Sequence, residues 1–420
     1  MIAGHARAVL LSFEGPDAYA MVGGLATRVV SLARALGEAD VATDLIFVGD
    51  PAAPALESFA PNVTLRRWSQ WLSVHHPANV YDGEAQKVDD YTRSVPRFLA
   101  DAVIEPAYRR GERVLVIAEE WHTVGATIAL DRLLRERGLR DDVTIVWNAN
   151  NTYGFDAIPW AALQRAAGIL TISKYMKFEL ARAGVPSLVV PNGIDETLLD
   201  GPSEAHVRLL REALHGRPNL FKVGRFDADK NWLQAVDAVA ELKALGRAPL
   251  LVARGGRESY GDLVWGRARE RGLVVERVAV ARGDAEALAA ALAASAADIV
   301  DLRSFVTDPL LQALYVAADA VLANSGKEPF GLVGLEVMAA GGIAVTGSTG
   351  EDYALPFVNA IVCDTVDGRE LATYLHATLD DDRRTDGMKK AGYETANRYL
   401  WANVLDTFER KLLYLRRTSD

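Results

Sequence analysis

Residues 324–342 read NSGKEPFGLVGLEVMAAGG, and this pattern decides how the rest of the chain is read. Just upstream, ADAVLANS (318–325) is an apolar run of strand length. Downstream, Leu332, Leu335, Val337, Met338 and Ala339 suit a short helix that stops at Gly341-Gly342. The stretch is therefore a strand, a turn and a helix. Gly331 lets a ligand approach the backbone closely, and the first N–H groups of the helix have no partner within it. Such a helix start attracts phosphate. Glu328 falls on the turn and Glu336 inside the helix, so the two carboxylates can reach opposite ends of one elongated ligand. The plainer reading makes Glu328 a helix cap and Glu336 a solvated helix residue.

Outward from this stretch the second half alternates strands and helices. NLFKVGRF (219–226), PLLVARGG (249–256), LVVERVAV (273–280), DIVDLRSFV (298–306) and IAVTGSTGED (343–352) contain the strand runs. Helices are expected over 203–215, 227–246 (with Trp232, Val236, Val239 and Leu242 inward) and 310–320. One long C-terminal helix is expected over 394–417, with Leu400, Val404, Phe408, Leu412 and Leu415 on one face. Arg225 ends the first of these strands and Lys230 follows at a helix start. A guanidinium and an ammonium so close to a helix N-terminus suit a diphosphate. Asp227 and Asp229 stand just before that helix, where capping is favoured over metal binding. No metal site is expected.

The first half opens on a strand, ARAVLLSF (6–13), then the loop EGPDAYAMVGG (14–24), a helix with Leu25, Val29, Leu32 and Leu36 on one face, and a second strand, DLIFVGD (44–50). This β-α-β start points to a doubly wound parallel sheet. A G-x-G-x-x-G fingerprint is absent, which weighs against a nicotinamide enzyme. Gly23 and Gly24 fit a plain tight turn or room for a diphosphate. Residues 60–100 are poorly patterned and read as a surface loop or flap; His75 and His76 lack a third ligand at metal spacing. RVLVIAEEW (113–121) is a buried strand, and the following helix takes Thr123 as its possible cap. Ligands gather at the carboxyl ends of strands in such sheets, which makes Glu120, His122 and Asn150 ligand-binding candidates, with His122 reading more simply as a hydrogen-bonding residue at the helix start. VTIVWNANNTYGF (143–155) and GILTIS (168–173) continue the series. Pro and Gly in PSLVVPNGID (186–195) place a domain boundary near 190–200.

At 420 residues, half of them apolar, the chain suits two domains with sizeable cores. Its net charge of −10 argues against nucleic acid or an anionic membrane as the main partner. The single cysteine, Cys363, allows no intrachain disulfide and fits a reducing cytoplasm. No run reads as a signal peptide or an integral membrane segment.

The run E-P-F-G-L-x-x-L-E-x-M-A-x-G resembles the signature of retaining GT-B glycosyltransferases, the large group around family 4 and the glycogen synthases. The G-R…K setting of Arg225 and Lys230, the V-P-N-G-I-D segment and Gly23-Gly24 are similar to features of that group. The resemblance implies an α/β GT-B fold, two Rossmann-like doubly wound parallel-sheet domains facing a central cleft. It places an N-terminal acceptor-side domain at 1–195, a nucleotide-sugar domain at 196–395, and a helix at 396–420 crossing back to the first. By resemblance Glu328, with Phe330, Gly331 and Leu332, holds the donor sugar, Glu336 the ribose, and Arg225 and Lys230 the diphosphate. The implied activity is metal-independent retaining transfer of a sugar from a nucleoside diphosphate sugar, a substrate rather than a cofactor, to a small-molecule or glycan hydroxyl. A sugar-nucleotide epimerase, a sugar phosphorylase and a non-catalytic nucleotide-sugar-binding subunit are the alternatives. Asn148-Ala149-Asn150-Asn151 departs from many relatives, which carry a histidine in this loop, so that histidine's role has no counterpart here.

Overall fold

The computed structural model describes residue 2 and residues 4–417. The chain forms two compact units, one made of Met1–Gly193 with Leu400–Asp420 and the other of Ile194–Tyr399.

The first unit is built on eight strands: β1 (Arg7–Leu11), β2 (Ala42–Val48), β3 (Leu56–Ala60), β4 (Val63–Trp68), β5 (Val114–Glu119), β6 (Val143–Ala149), β7 (Gly168–Thr171) and β8 (Leu188–Val189). They lie in the order β3-β4-β2-β1-β5-β6-β7-β8, parallel except for β3, which pairs antiparallel with β4. Helices cover the central strands, so β5 is buried along its whole length and its sequence is apolar up to its final glutamate. Strand order reverses between β1 and β5.

Two stretches depart from the sequence reading here. Residues 60–100 are not a loop: they hold β4, a short helix Gln70–Ser73 and the helix Glu84–Phe98. The buried stripe of that last helix is Lys87, Tyr91 and Val95, and its first member is a lysine, so no apolar period was visible. The Lys87 ammonium is fully buried and satisfied by carbonyl oxygens, Val80 at 3.1 Å and Asp82 at 2.5 Å, and by the Tyr19 hydroxyl at 2.5 Å. Thr123 does not cap the helix Val124–Glu136 with its side chain; its hydroxyl donates back to the Glu120 carbonyl at 2.9 Å.

The second unit holds seven parallel strands: β9 (Asn219–Val223), β10 (Leu250–Arg254), β11 (Val275–Val278), β12 (Ile299–Leu302), β13 (Ala320–Ala323), β14 (Ala344–Thr346) and β15 (Ile361–Val362). Their order is β11-β12-β10-β9-β13-β14-β15, reversing between β9 and β13. Trp232, Val236, Val239 and Leu242 enter the core as expected. The expected long C-terminal helix is two, Asp382–Asn397 and Trp401–Arg417. The break has a cause within the second unit. The Tyr399 carbonyl accepts the Ile194 N–H at 2.8 Å, and its ring packs beside Phe330 and Tyr353, which draws the backbone out of helical register. After the break, Trp401–Arg417 packs against the helix Gly24–Glu38 of the first unit.

Candidate active site

In an open doubly wound sheet the crevice for a ligand opens at the carboxyl ends of the strands where their order reverses. In the second unit that point lies between β9 and β13. The chain leaves β9 through Gly224-Arg225 and forms a single turn, Ala228–Lys230, capped by the Asp227 carboxylate, which accepts the Asp229 N–H at 3.0 Å. Asp227 thus serves the turn. The chain leaves β13 through Asn324–Phe330 into the helix Leu332–Ala340. A backbone bond from Gly326 N–H to the Asp229 carbonyl (2.7 Å) ties the two turns together.

This brings Lys230 and Glu328 into an ion pair at 2.5 Å, both side chains partly exposed. The Arg225 guanidinium is exposed and has no ion-pair partner among the described residues. Its carbonyl accepts the Trp232 indole N–H at 2.8 Å. Two cations therefore stand against one carboxylate at the mouth of the site. Glu336 lies one helical turn past Gly331 and takes a 3.3 Å bond from the Tyr315 hydroxyl; burial raises its carboxyl above the usual range.

Gly331 is the N-cap of this helix, with φ +77°. A Cβ there would sit 2.8 Å from Glu351 Cγ and 3.1 Å from the Tyr353 hydroxyl, so the position requires glycine for both space and backbone. Phe330 is buried beside Tyr353 and serves the core of the turn, whereas Leu332 opens the helix half-exposed. The glycine-rich loop after β14 closes over the turn. A Cβ on Gly350 would meet the Pro329 carbonyl oxygen at 2.2 Å, and the Thr349 hydroxyl accepts the Glu328 N–H at 3.0 Å.

Two titratable groups of the site lay outside the sequence reading. Glu351 is buried behind Gly331, one oxygen accepting the Thr349 N–H at 3.1 Å and the other unpartnered. Burial, opposed by its hydrogen bonds and reinforced by the Glu328 charge, lifts its carboxyl to about 7. Lys222 is buried in β9, its ammonium donating to the Leu322 carbonyl (3.0 Å) and the Asn324 side-chain oxygen (2.6 Å). Burial, with the Lys230 charge adding to it, lowers this amine to about 7. A lysine at the middle of an apolar strand run was the signal for it in the sequence.

The reversal point of the first unit, between β1 and β5, is differently furnished. The Glu14 carboxylate accepts the Gly23 N–H and the Ala26 N–H, both at 3.1 Å, and so answers the start of the helix Gly24–Glu38. Side chains at Gly23 and Gly24 would meet open space. Glu119 forms a buried ion pair with Arg28 (3.1 Å) and accepts from the Asn148 and Asn150 amides at 2.8 and 2.7 Å. Glu120 is buried and accepts the Asn150 and Asn151 N–H groups at 2.6 and 3.1 Å; burial lifts it to about 8. Its backbone has φ +68°, rare outside glycine, a strain that only a surrounding structure can hold. His122 is stacked between Phe13 and Trp121 and bonds Glu84 at 2.8 Å, with burial lowering its basicity. Glu120, His122 and Asn150 are thus gathered at one strand end, with Glu120 and Asn150 engaged in shaping the 148–151 loop.

A doubly wound sheet in each unit, with cations, a partly exposed carboxylate and a glycine-started helix at one reversal point, is the arrangement expected of a GT-B glycosyltransferase. Two family models match the chain and together span most of it: Glycosyltransferase Family 4 over residues 22–198 and Glycosyl transferases group 1 over residues 211–395. The chain belongs to the family 4-like GT-B glycosyltransferases. It is 35% identical over 122 residues to a D-inositol 3-phosphate glycosyltransferase of Corynebacterium kroppenstedtii, covering 26% of each chain. It is 29% identical over 254 residues to a 2-deoxystreptamine glucosyltransferase of Streptomyces kanamyceticus, covering 56% of each. The chain thus spans about a quarter to a half of the length of these curated relatives. Among solved structures, sucrose-phosphate synthase from Thermosynechococcus elongatus superposes with a TM-score of 0.70 at 18% identity, covering 99% of this chain and 100% of that one. The catalytic domain of starch synthase IV from Arabidopsis thaliana, bound to ADP and acarbose, gives 0.71 at 13% identity, covering 98% and 100%. These two share the fold.

Proposed function

We propose that the chain moves a sugar from a nucleoside diphosphate sugar to a hydroxyl acceptor, with retention at the anomeric carbon and without a metal ion. The observation that carries this reading is the ion pair of Lys230, after β9, with Glu328, after β13, beside the exposed Arg225 at the reversal point of the second sheet. Cleavage of the sugar–phosphate bond builds positive charge on the anomeric carbon, as in other glycosyl transfers, and negative charge on the departing diphosphate. Arg225, Lys230 and the free N–H groups beginning at Gly331 stabilise the departing charge. Glu328 holds the sugar from the turn. Glu336, braced by Tyr315, receives the ribose hydroxyls. The departing phosphate oxygen accepts the proton of the incoming hydroxyl, so no separate base is required and the new bond forms on the face the phosphate leaves. The first unit carries the acceptor near the strand end of Glu120 and Asn150. The curated relative that glycosylates 2-deoxystreptamine supports a small polyhydroxylated acceptor.

The experiment is a product assay with UDP-, ADP- and GDP-sugars, with and without polyol acceptors, on the wild type and on Arg225→Ala and Glu328→Gln. Acceptor-dependent release of nucleoside diphosphate that falls on both changes is the expected result. Turnover that survives both would refute the site. An isomerised nucleotide sugar formed without acceptor would point to an epimerase instead.

A further inference from the structure

The donor site as read above uses two cations at its mouth. A third basic group lies beneath them. Lys222 stands in β9 at the reversal point, 2% exposed, and its ammonium reaches across to β13. It sits 5.2 Å from the centre of the Trp232 ring, and the indole N–H of that same ring bonds the Arg225 carbonyl. From Lys222 a buried polar chain runs on. The Asn324 amide donates to the Gln234 side-chain oxygen at 2.7 Å, and the Gln234 amide donates to the Thr365 carbonyl at 2.9 Å. Asn324 and Gln234 also line a small cavity of about 40 Å³ together with Asn231, Gly326 and Gly347.

No carboxylate contacts Lys222 among the described residues. The charged groups that face it are Lys230 and Glu328, and these two are already paired with each other. Burying an ammonium without a counter-charge is costly, and the cost is avoided when the amine stays neutral or when an anion arrives. The missing counter-charge is what a diphosphate would bring to the mouth of this site.

Building on the donor reading, we propose that Lys222 is a positioning residue of the donor site whose amine takes up a proton when the nucleotide-sugar diphosphate binds, adding a third positive charge beneath Arg225 and Lys230. In the empty site the amine holds Asn324, and with it the turn that carries Glu328, as a mixture of neutral and charged forms near pH 7 that becomes neutral as pH rises. In the filled site it is an ammonium, held by the Leu322 carbonyl, the Asn324 oxygen and the face of Trp232. Lys222 does not touch the substrate; its effect passes through Trp232 to Arg225 and through Asn324 to the Glu328 turn.

The test is calorimetric titration of the whole chain with UDP-glucose, ADP-glucose and GDP-mannose, whose diester phosphates do not titrate near neutrality. Each is run in buffers of different ionisation heat between pH 6 and 8. An amine at about 7 predicts uptake of about half a proton at pH 7, rising toward one near pH 8. In Lys222→Met the uptake should be lost while the sugar nucleotide still binds, more weakly. In Glu351→Gln, which removes the carboxyl beside the Glu328 turn that titrates near neutrality, it should persist. Uptake that is absent from the wild type, or that survives in Lys222→Met, overturns the proposal. If Lys222→Met fails to fold, the wild type and Glu351→Gln decide: uptake in both supports Lys222, and its disappearance in Glu351→Gln assigns it to the carboxyl and overturns the proposal. If none of the three probes binds the wild type, the donor reading itself is what fails.

Discussion

Lys230→Met separates what the Lys230–Glu328 pair does for the fold from what it does for the reaction. Both side chains are partly exposed, at 32% and 18%. An ion pair this open to water contributes at most about 1 kcal/mol to stability. Methionine keeps the length of the stem, so the melting temperature of the variant should fall by only a few degrees. The barrier is another matter. Removing one preorganised charge donor at a centre of developing negative charge costs roughly 3 kcal/mol, which is on the order of a hundredfold in rate. The loss should therefore appear chiefly in kcat, followed as nucleoside diphosphate release under saturating donor and acceptor. Removing the ammonium also frees Glu328 beside an incoming anion, so the double variant Lys230→Met/Glu328→Gln should lose less than the sum of the single changes. A kcat within about threefold of the wild type, in a variant that melts normally, would remove Lys230 from the machinery.

Gly331→Ala should cost about 1–3 kcal/mol, because φ is +77° and the new Cβ would press on Glu351 Cγ at 2.8 Å; a thermal melt showing no loss would contradict the packing behind the turn. Tyr315→Phe removes the brace on Glu336 and should raise KM for the donor a few-fold with kcat nearly unchanged; the opposite split in initial-rate kinetics would place Glu336 elsewhere in the reaction. Glu351 binds its proton more tightly folded, at about 7, than its ordinary value of 4.5, so it contributes stability at acid pH that is lost as pH rises through that window. Glu351→Gln should remove a slope of up to about 1.4 kcal/mol per pH unit between those values, measured by denaturant unfolding at a series of pH values.

How much of this was legible beforehand follows from where each signal resides. The strands of both sheets announce themselves because helices cover both faces and leave near-continuous apolar runs, as in LVIA of β5. The local placements of Arg225 with Lys230, and of Glu328 with Glu336, were legible because strand, turn and helix fix each pair at short spacing, whereas the Lys230–Glu328 contact joins residues 98 apart in sequence. The helix Glu84–Phe98 was hidden because its buried stripe opens with Lys87, and a lysine whose ammonium is satisfied by carbonyl oxygens leaves no apolar mark. Glu351 and Lys222 belong to the site only through contacts to Gly331 and Asn324, and no local spacing encodes such contacts. The break at 398–400 was invisible for the same reason, since it depends on a bond from Ile194, about two hundred residues earlier.

The two reversal points carry the same backbone device and opposite chemistry. In the first unit, Gly23 starts a helix and the Glu14 carboxylate already accepts two of the N–H groups that an anion would seek. A diphosphate at Gly23-Gly24 would have to displace that carboxylate or share the helix start with it, against its charge. In the second unit, Gly331 starts a helix with no side-chain cap, and basic groups stand beside it and beneath it. Both helix starts present the positive end of a dipole, so on the donor reading proposed above the side chains around them set the preference for an anion. Glu14→Gln should consequently leave donor affinity unchanged within about twofold, because it alters a helix start that is already occupied from within. A tenfold gain in nucleoside diphosphate affinity on this change, about 1.4 kcal/mol, would show instead that the Gly23 amides share the phosphate and that Glu14 competes for them.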